Sequence, residues 1–290
     1  MEKIAFTFWD GPQLSLLNII SILSFTKLNP SIHLIIYTLE GNTDANVSWK
    51  TDEHSNDILN QYSLELLKTE SNLSIVKINP KDIAQIASSI QIADFVRIQK
   101  LFEHGGIWID SDILFYKEIP GWIWDATKSP GFVISYFNTI TTGFLGLPKA
   151  SIAAELALKE AFLIQENNQF HKNYQSFGPD LWKNIFLKYP KELINIHFLS
   201  DTVIYPIIWL DLDKFYYQKR IDLLKENTIG IHWYNGSPTS RSFINNNLEY
   251  FLSNGHEQTT FQVCMKMLDQ KTNILASVRK IMAKQYQIAA

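Results

Sequence analysis

Between Lys3 and Leu39 the sequence reads strand, helix, strand, and that order restricts the fold more than any other feature of the chain. Lys3–Trp9 is rich in β-formers and stops at Asp10-Gly11-Pro12, a turn signal. Leu16, Ile19, Ile20 and Leu23 follow at i, i+3, i+4 and i+7, the apolar face of a helix that Asn29-Pro30 ends. Ile32–Leu39 is then almost continuously apolar, as a strand covered on both faces must be. Two strands joined through a helix pair in parallel, because the crossover brings the chain back to the same end of the sheet. The expectation is an α/β fold, a Rossmann-type and mostly parallel sheet flanked by helices.

The rest of the chain extends that pattern. Ser71–Asn79 reads as a strand and Ile92–His104 as a helix stopped by Gly105-Gly106, after which Ile107-Trp108-Ile109 is a very short apolar strand. Phe132–Phe137, Gly143–Leu147, Asn195–Leu199 and Thr228–Trp233 read as later strands, and Ile152–Gln165, Asp180–Tyr189 and Asp213–Glu226 as helices. Gly41–Gln61 is polar and reads as a long loop or insertion. From Thr260 to Ala290 the apolar residues keep helical spacing, which suggests a main domain over 1–257 and a helical appendage over 258–290. With 46% hydrophobic residues the chain has ample material for a core, and a net charge of −3 leaves no basic footprint for nucleic acid. The single cysteine, Cys264, has no partner for an internal disulfide and reads as a buried apolar residue. No leader-like segment or membrane-spanning apolar run occurs in the sequence, so the expected setting is cytoplasmic.

Chemistry concentrates in Ala93-Asp94-Phe95-Val96-Arg97 and, after Gly105-Gly106, in Asp110-Ser111-Asp112. Two acids at i and i+2 on an extended chain point to one face, where their charges repel unless a cation lies between them. Oxygen ligands suit a hard divalent ion, Mn²⁺ or Mg²⁺, which can hold a diphosphate and neutralise its charge as it leaves. An isolated Asp-x-Asp is weak evidence. Asp211-Leu212-Asp213 is a second copy, read as acids at a helix start. The pair at 110 and 112 differs because an apolar strand delivers it to what would be the ligand-binding edge of a parallel sheet.

The run from Ala93 to Asp112 resembles the core signature of glycosyltransferase family 32, the DXD-bearing group that includes bacterial capsule enzymes and fungal mannosyltransferases. A small residue, Asp, two residues, Arg, a helix, Gly-Gly, an apolar strand and Asp-x-Asp all occur here in order. The resemblance implies a GT-A-like fold and transfer of a hexose, with retention, from a UDP-sugar to a glycan or lipid-linked saccharide. The setting it implies is bacterial surface polysaccharide synthesis. It implies that Asp94 and Arg97 contact the donor, that Asp110 meets the ribose or the metal, and that Asp112 ligates Mn²⁺ or Mg²⁺ directly. Trp9, in the opening strand, is set against the base, with Trp108 beside the nucleotide; a core position is the equal alternative for each. Phe177-Gly178-Pro179-Asp180 resembles a Gly-Pro motif near the acceptor. Ile231-His232-Trp233-Tyr234-Asn235-Gly236-Ser237-Pro238 resembles the closing motif, in which His232 would complete the metal site and Ser237 would lie on the donor. Where the family often has Ser-Trp this chain has Ser237-Pro238.

Two rivals come from other classes. A phosphatase with an Asp-x-Asp nucleophile would carry the pair after its first strand, with Thr or Val where this chain has Leu114. A non-catalytic nucleotide-sugar-binding or scaffold protein with a degenerate site would be expected to have lost some of the Asp94, Arg97, Asp110 and Asp112 set. The tail carries Lys266, Lys271, Arg279, Lys280 and Lys284 against Asp269. A helix pair covering the sheet is the preferred reading, and peripheral contact with an anionic membrane is the alternative.

Overall fold

The computed structural model describes residues 3–40, 61–79, 83, 88–136, 139–167, 175–253 and 257–289. In chain order it contains β1 (Lys3–Phe8), β2 (Gln13–Ser15), α1 (Leu16–Leu28), β3 (Ile32–Leu39), β4 (Gln61–Ser63) and β5 (Leu73–Ile78). Then come α2 (Ser89–His104), β6 (Gly106–Ile109), β7 (Ile113–Phe115), α3 (Gly121–Ala126), β8 (Phe132–Tyr136), β9 (Thr139–Leu147), α4 (Ile152–Glu166) and α5 (Pro179–Lys188). The last part holds β10 (His197–Ser200), α6 (Asp213–Tyr216), β11 (Gly230–His232), α7 (Pro238–Asn246), α8 (Leu248–Ser253), α9 (Thr260–Thr272) and α10 (Ile274–Ala289). Residues 41–60 of the expected loop lie outside the described residues, and Gln61 already begins β4.

The main sheet has the order β10-β8-β9-β6-β1-β3-β5. β1 pairs in parallel with β3 and β6, β3 with β5, and β10 with β8, while β9 runs antiparallel to both neighbours. The strands look continuously apolar because alternate residues enter different cores. Ala5, Leu34, Ile36, Ile107 and Ile109 go to one face, and Phe6, Phe8, Tyr37 and Trp108 go to the other. The α/β expectation holds.

The second face is covered by α2, α4 and α5. On the first face lies α1, and it departs from the expected amphipathic helix: apart from Lys27, all of its residues are buried. Its polar side chains bind the segments that pass over it. Asn18 Nδ2 donates to the Ser111 carbonyl (3.3 Å), Ser21 Oγ accepts from the Trp233 indole (2.8 Å), and Ser24 Oγ accepts from the Phe115 amide (3.0 Å). Just past the helix, Asn29 Oδ1 accepts from the Ile119 amide (2.8 Å).

Helices α9 and α10 share this core: Phe261, Cys264, Met265, Leu268, Ile274, Val278 and Ile281 are buried in it. The apolar face of the tail is thereby turned inward, while Lys266, Lys271, Arg279, Lys280 and Lys284 are exposed. No helix among the described residues is long and apolar enough to cross a membrane. The expected helix from Asp213 to Glu226 shrinks to the single turn of α6. Tertiary bonds replace it, since Thr260 N donates to Gln218 O (2.7 Å) and Arg220 N to Thr260 Oγ1 (2.8 Å). β11 pairs with β7 in a separate antiparallel ribbon and does not join the main sheet.

Candidate active site

Asp110 follows directly on β6, whose parallel neighbour β1 delivers Trp9 to the same sheet edge. β6 can start where it does because Gly106, at φ 115°, passes against the Ile4 carbonyl; any Cβ there would strike that oxygen. The two acids are not consecutive positions on one face of a strand, as the spacing suggested. Ser111 and Asp112 form a turn closed by the Ile113 amide on the Asp110 carbonyl (3.3 Å), and β7 follows. The turn still brings the carboxylates together. Asp110, Asp112 and His232 each offer a ligand atom, and these atoms all lie within 4.8 Å of one another.

His232 arrives through the ribbon, opposite Ile113 in the β7–β11 register. Its Nε2 lies 3.2 Å from Asp112 Oδ1 and 3.7 Å from Asp110 Oδ2. Burial disfavours a charge on this imidazole, but the two carboxylates outweigh it and raise its pKa to about 9. The second oxygen of Asp112 accepts the Asn235 amide at 2.8 Å. Tyr234, at φ 52°, makes the bend that aims this amide.

Behind the cluster, Arg97 is buried and shared between two acids. Its Nη1 pairs with Asp94, and its Nη2 donates to Asp110 Oδ1 at 2.9 Å. The guanidinium lies 4.8 Å from the Trp108 ring centroid, and the indole Nε1 donates to the same Asp110 oxygen at 2.7 Å. Burial raises the Asp110 carboxyl, yet Arg97, His232 and Trp108 together hold it below the usual range. Burial dominates at Asp94, whose carboxyl is pushed up to about 6.

Asp94 and Arg97 are both buried, and the fork of Arg97 meets the carboxylates of Asp94 and Asp110. Trp108, 1% exposed, is a core residue that supports Asp110 and offers no face to a nucleotide. Trp9 is half-buried at the sheet edge, with its indole N–H on the Gln13 carbonyl (2.7 Å). Ser237 is buried at the start of α7, two residues beyond Asn235. Gly178 lies against Asp94, so that a Cβ would come 2.5 Å from Asp94 Oδ2; the Gly-Pro segment therefore walls the same site. Asp211 pairs with Lys214 (2.6 Å) and Asp213 accepts from Gln218 (2.7 Å), as suits acids outside the site.

Some neighbours carry no signal in the sequence. Tyr205 packs on His232 with ring centroids 5.1 Å apart, and Tyr136 lies 5.7 Å from Tyr205. Tyr234 meets the imidazole edge-on at 4.3 Å. A Cβ on Gly143 would fall 2.6 Å from the Tyr205 hydroxyl and 2.7 Å from Asp110 Oδ2, so this glycine leaves room for both. Asn18, reaching the Ser111 carbonyl from α1, was also missed. The nearest hint lay in the motif around His232, which already contained Tyr234 and Asn235.

Residues 56–139, which include Asp94, Arg97, Asp110 and Asp112, match the family described as capsular polysaccharide synthesis protein. No curated protein matches the sequence. Among solved structures, the glycosyltransferase GlyE of Streptococcus pneumoniae superposes with a TM-score of 0.51 at 10% identity, over 98% of this chain and 64% of that one. The PaToxG glycosyltransferase is similar over 66% of this chain and 69% of its own, with 18% identity and a TM-score of 0.47. The galactosyltransferase LgtC, solved with donor and acceptor sugar analogues, covers 93% of this chain and 95% of its own at 11% identity and a TM-score of 0.47. At such identities the likeness is one of fold. The chain thus has the GT-A-like fold of GlyE, and the segment that matches the capsular polysaccharide synthesis family carries Asp94, Arg97, Asp110 and Asp112.

Proposed function

We propose that the chain is a metal-dependent glycosyltransferase that moves a hexose from a UDP-sugar to a glycan or lipid-linked saccharide in surface polysaccharide synthesis. The observation that carries this reading is the convergence of Asp110, Asp112 and His232 at the ligand-binding edge of the sheet. Two carboxylates and an imidazole suit Mn²⁺ or Mg²⁺. Bound there, the ion would supply Lewis-acid neutralisation of the leaving diphosphate.

The chain's own residues prepare that site. Arg97 and Trp108 hold Asp110 ionised and oriented, and the Asn235 amide and the Asn18 contact to Ser111 hold Asp112 and its turn. In the transfer, the acceptor hydroxyl oxygen bonds to the anomeric carbon as the bond to the diphosphate breaks. Its proton passes to the departing phosphate oxygen. The family resemblance supports retention by this same-face route.

The test is a panel of nucleotide sugars with Mn²⁺, scored for release of nucleoside diphosphate. Asp112→Ala is expected to abolish metal-dependent release while circular dichroism stays unchanged. Undiminished turnover in that variant overturns the proposal.

A further inference from the structure

The β7–β11 ribbon has two ends. One carries Asp112 and His232. The other opens on a groove of about 720 Å³ whose lining includes Lys117, Lys225, Lys271, Glu118, Glu226 and Trp122. The three-residue ribbon separates groove from cluster by about 10 Å.

Three lysines face two glutamates there, leaving the groove net positive. Two of the ammonium groups are held in place by carbonyls: Lys117 Nζ donates to Glu226 O (2.7 Å) and Lys225 Nζ to Asp222 O (3.0 Å). None of the three forms a salt bridge among the described residues. Burial first, and then Lys271, lower the pKa of Lys117 against the opposing pull of Glu226 and Cys264. Trp122, 52% exposed, lines the same groove, a large apolar surface left in water beside these cations. A net positive groove asks for an anion, and an exposed indole suits the C–H face of a sugar ring.

We propose that this groove binds an acidic saccharide, a sugar unit bearing a carboxylate or a phosphate ester, with Lys117, Lys225 and Lys271 on the charge and Trp122 against the ring. The choice of a saccharide rests on the glycosyl-transfer reading; the choice of an anion rests on the groove alone.

The test is calorimetric titration of the full chain, without Mn²⁺ or nucleotide sugar, against five probes. These are a hyaluronan hexasaccharide, 6-phosphorylated maltohexaose, plain maltohexaose, inorganic phosphate and a hexaglutamate peptide. One or both of the acidic saccharides should bind at least about tenfold more tightly than the other three probes. The arm that binds identifies carboxylate or phosphate as the charge. Lys117→Gln combined with Lys271→Gln should remove that preference, Trp122→Ala should weaken saccharide binding, and Asp112→Ala should leave it unchanged. Unfolding curves show whether the surface variants are folded. If maltohexaose, inorganic phosphate or hexaglutamate binds as tightly, or if the double lysine variant binds like the parent, the assignment is wrong. Because Asp112→Ala is read separately here, failure of the groove and failure of the transferase reading are distinguishable.

Discussion

Arg97 Nη2 sits 2.9 Å from Asp110 Oδ1, and the same guanidinium is also paired with Asp94. A cation buried between two acids ties the interior of α2 to the rim of the site. Removing it strands charge that burial cannot tolerate, and loss of one partner from a buried pair typically costs about 3–5 kcal/mol. Arg97→Met is therefore expected to lower the unfolding free energy, read from urea denaturation, by an amount of that order. A stability equal to that of the parent would show the pair to be dispensable.

His232 gives the metal-free protein a pH signature. Its folded pKa, about 9, lies above the usual value of about 6.5 for the unfolded chain. The protonated imidazole therefore stabilises the fold in full below about pH 6.5, and this contribution is lost as the pH rises through about 9. Melting temperature in chelator should decline across that window, and His232→Gln should flatten the decline. Mn²⁺ must displace the same proton, so its affinity should rise with pH over the same interval.

Asn18→Ala removes the donor that holds the Ser111 carbonyl between the two acids. A neutral hydrogen bond is worth about 1 kcal/mol, so the fold should survive with a modest loss. Mn²⁺ affinity, read by electron paramagnetic resonance, should fall by about tenfold, as expected when a group that orients a metal ligand is lost. Unchanged affinity would assign Asn18 to packing alone.

Gly143→Ala places a methyl group on the Tyr205 hydroxyl and Asp110 Oδ2. The expected overpacking cost is about 1–3 kcal/mol. The sharper expectation is loss of Mn²⁺ binding as Asp110 is pushed from the cluster. Retention of full affinity would show that the site yields elsewhere.

The sheet was readable in the sequence because each strand must fill two cores, and Ala5, Phe6, Ile107 and Trp108 show that alternation directly. Asp110 and Asp112 were readable through their motif and strand context. The polar side of α1 was not. Asn18, Ser21 and Ser24 are spaced like a solvent face, but their partners are Ser111, Trp233 and Phe115, far away in sequence. Trp108 misled for a related reason: an indole beside a motif reads the same whether it faces a ligand or, as here, supports Asp110 from the core. Nothing in the local pattern distinguishes water from a distant hydrogen-bonding partner. The tyrosine wall escaped likewise, since Tyr205 reaches His232 only through the folded chain.

The pairing of His232 with Ile113 has a consequence for biosynthesis. A chain emerging from the ribosome exposes both acids long before the histidine, so an early intermediate holds only part of the ligand set. If the proposed metal site is real, tight capture of the ion must await closure of this long-range contact, and cation uptake would be a late checkpoint of folding rather than a seed for it.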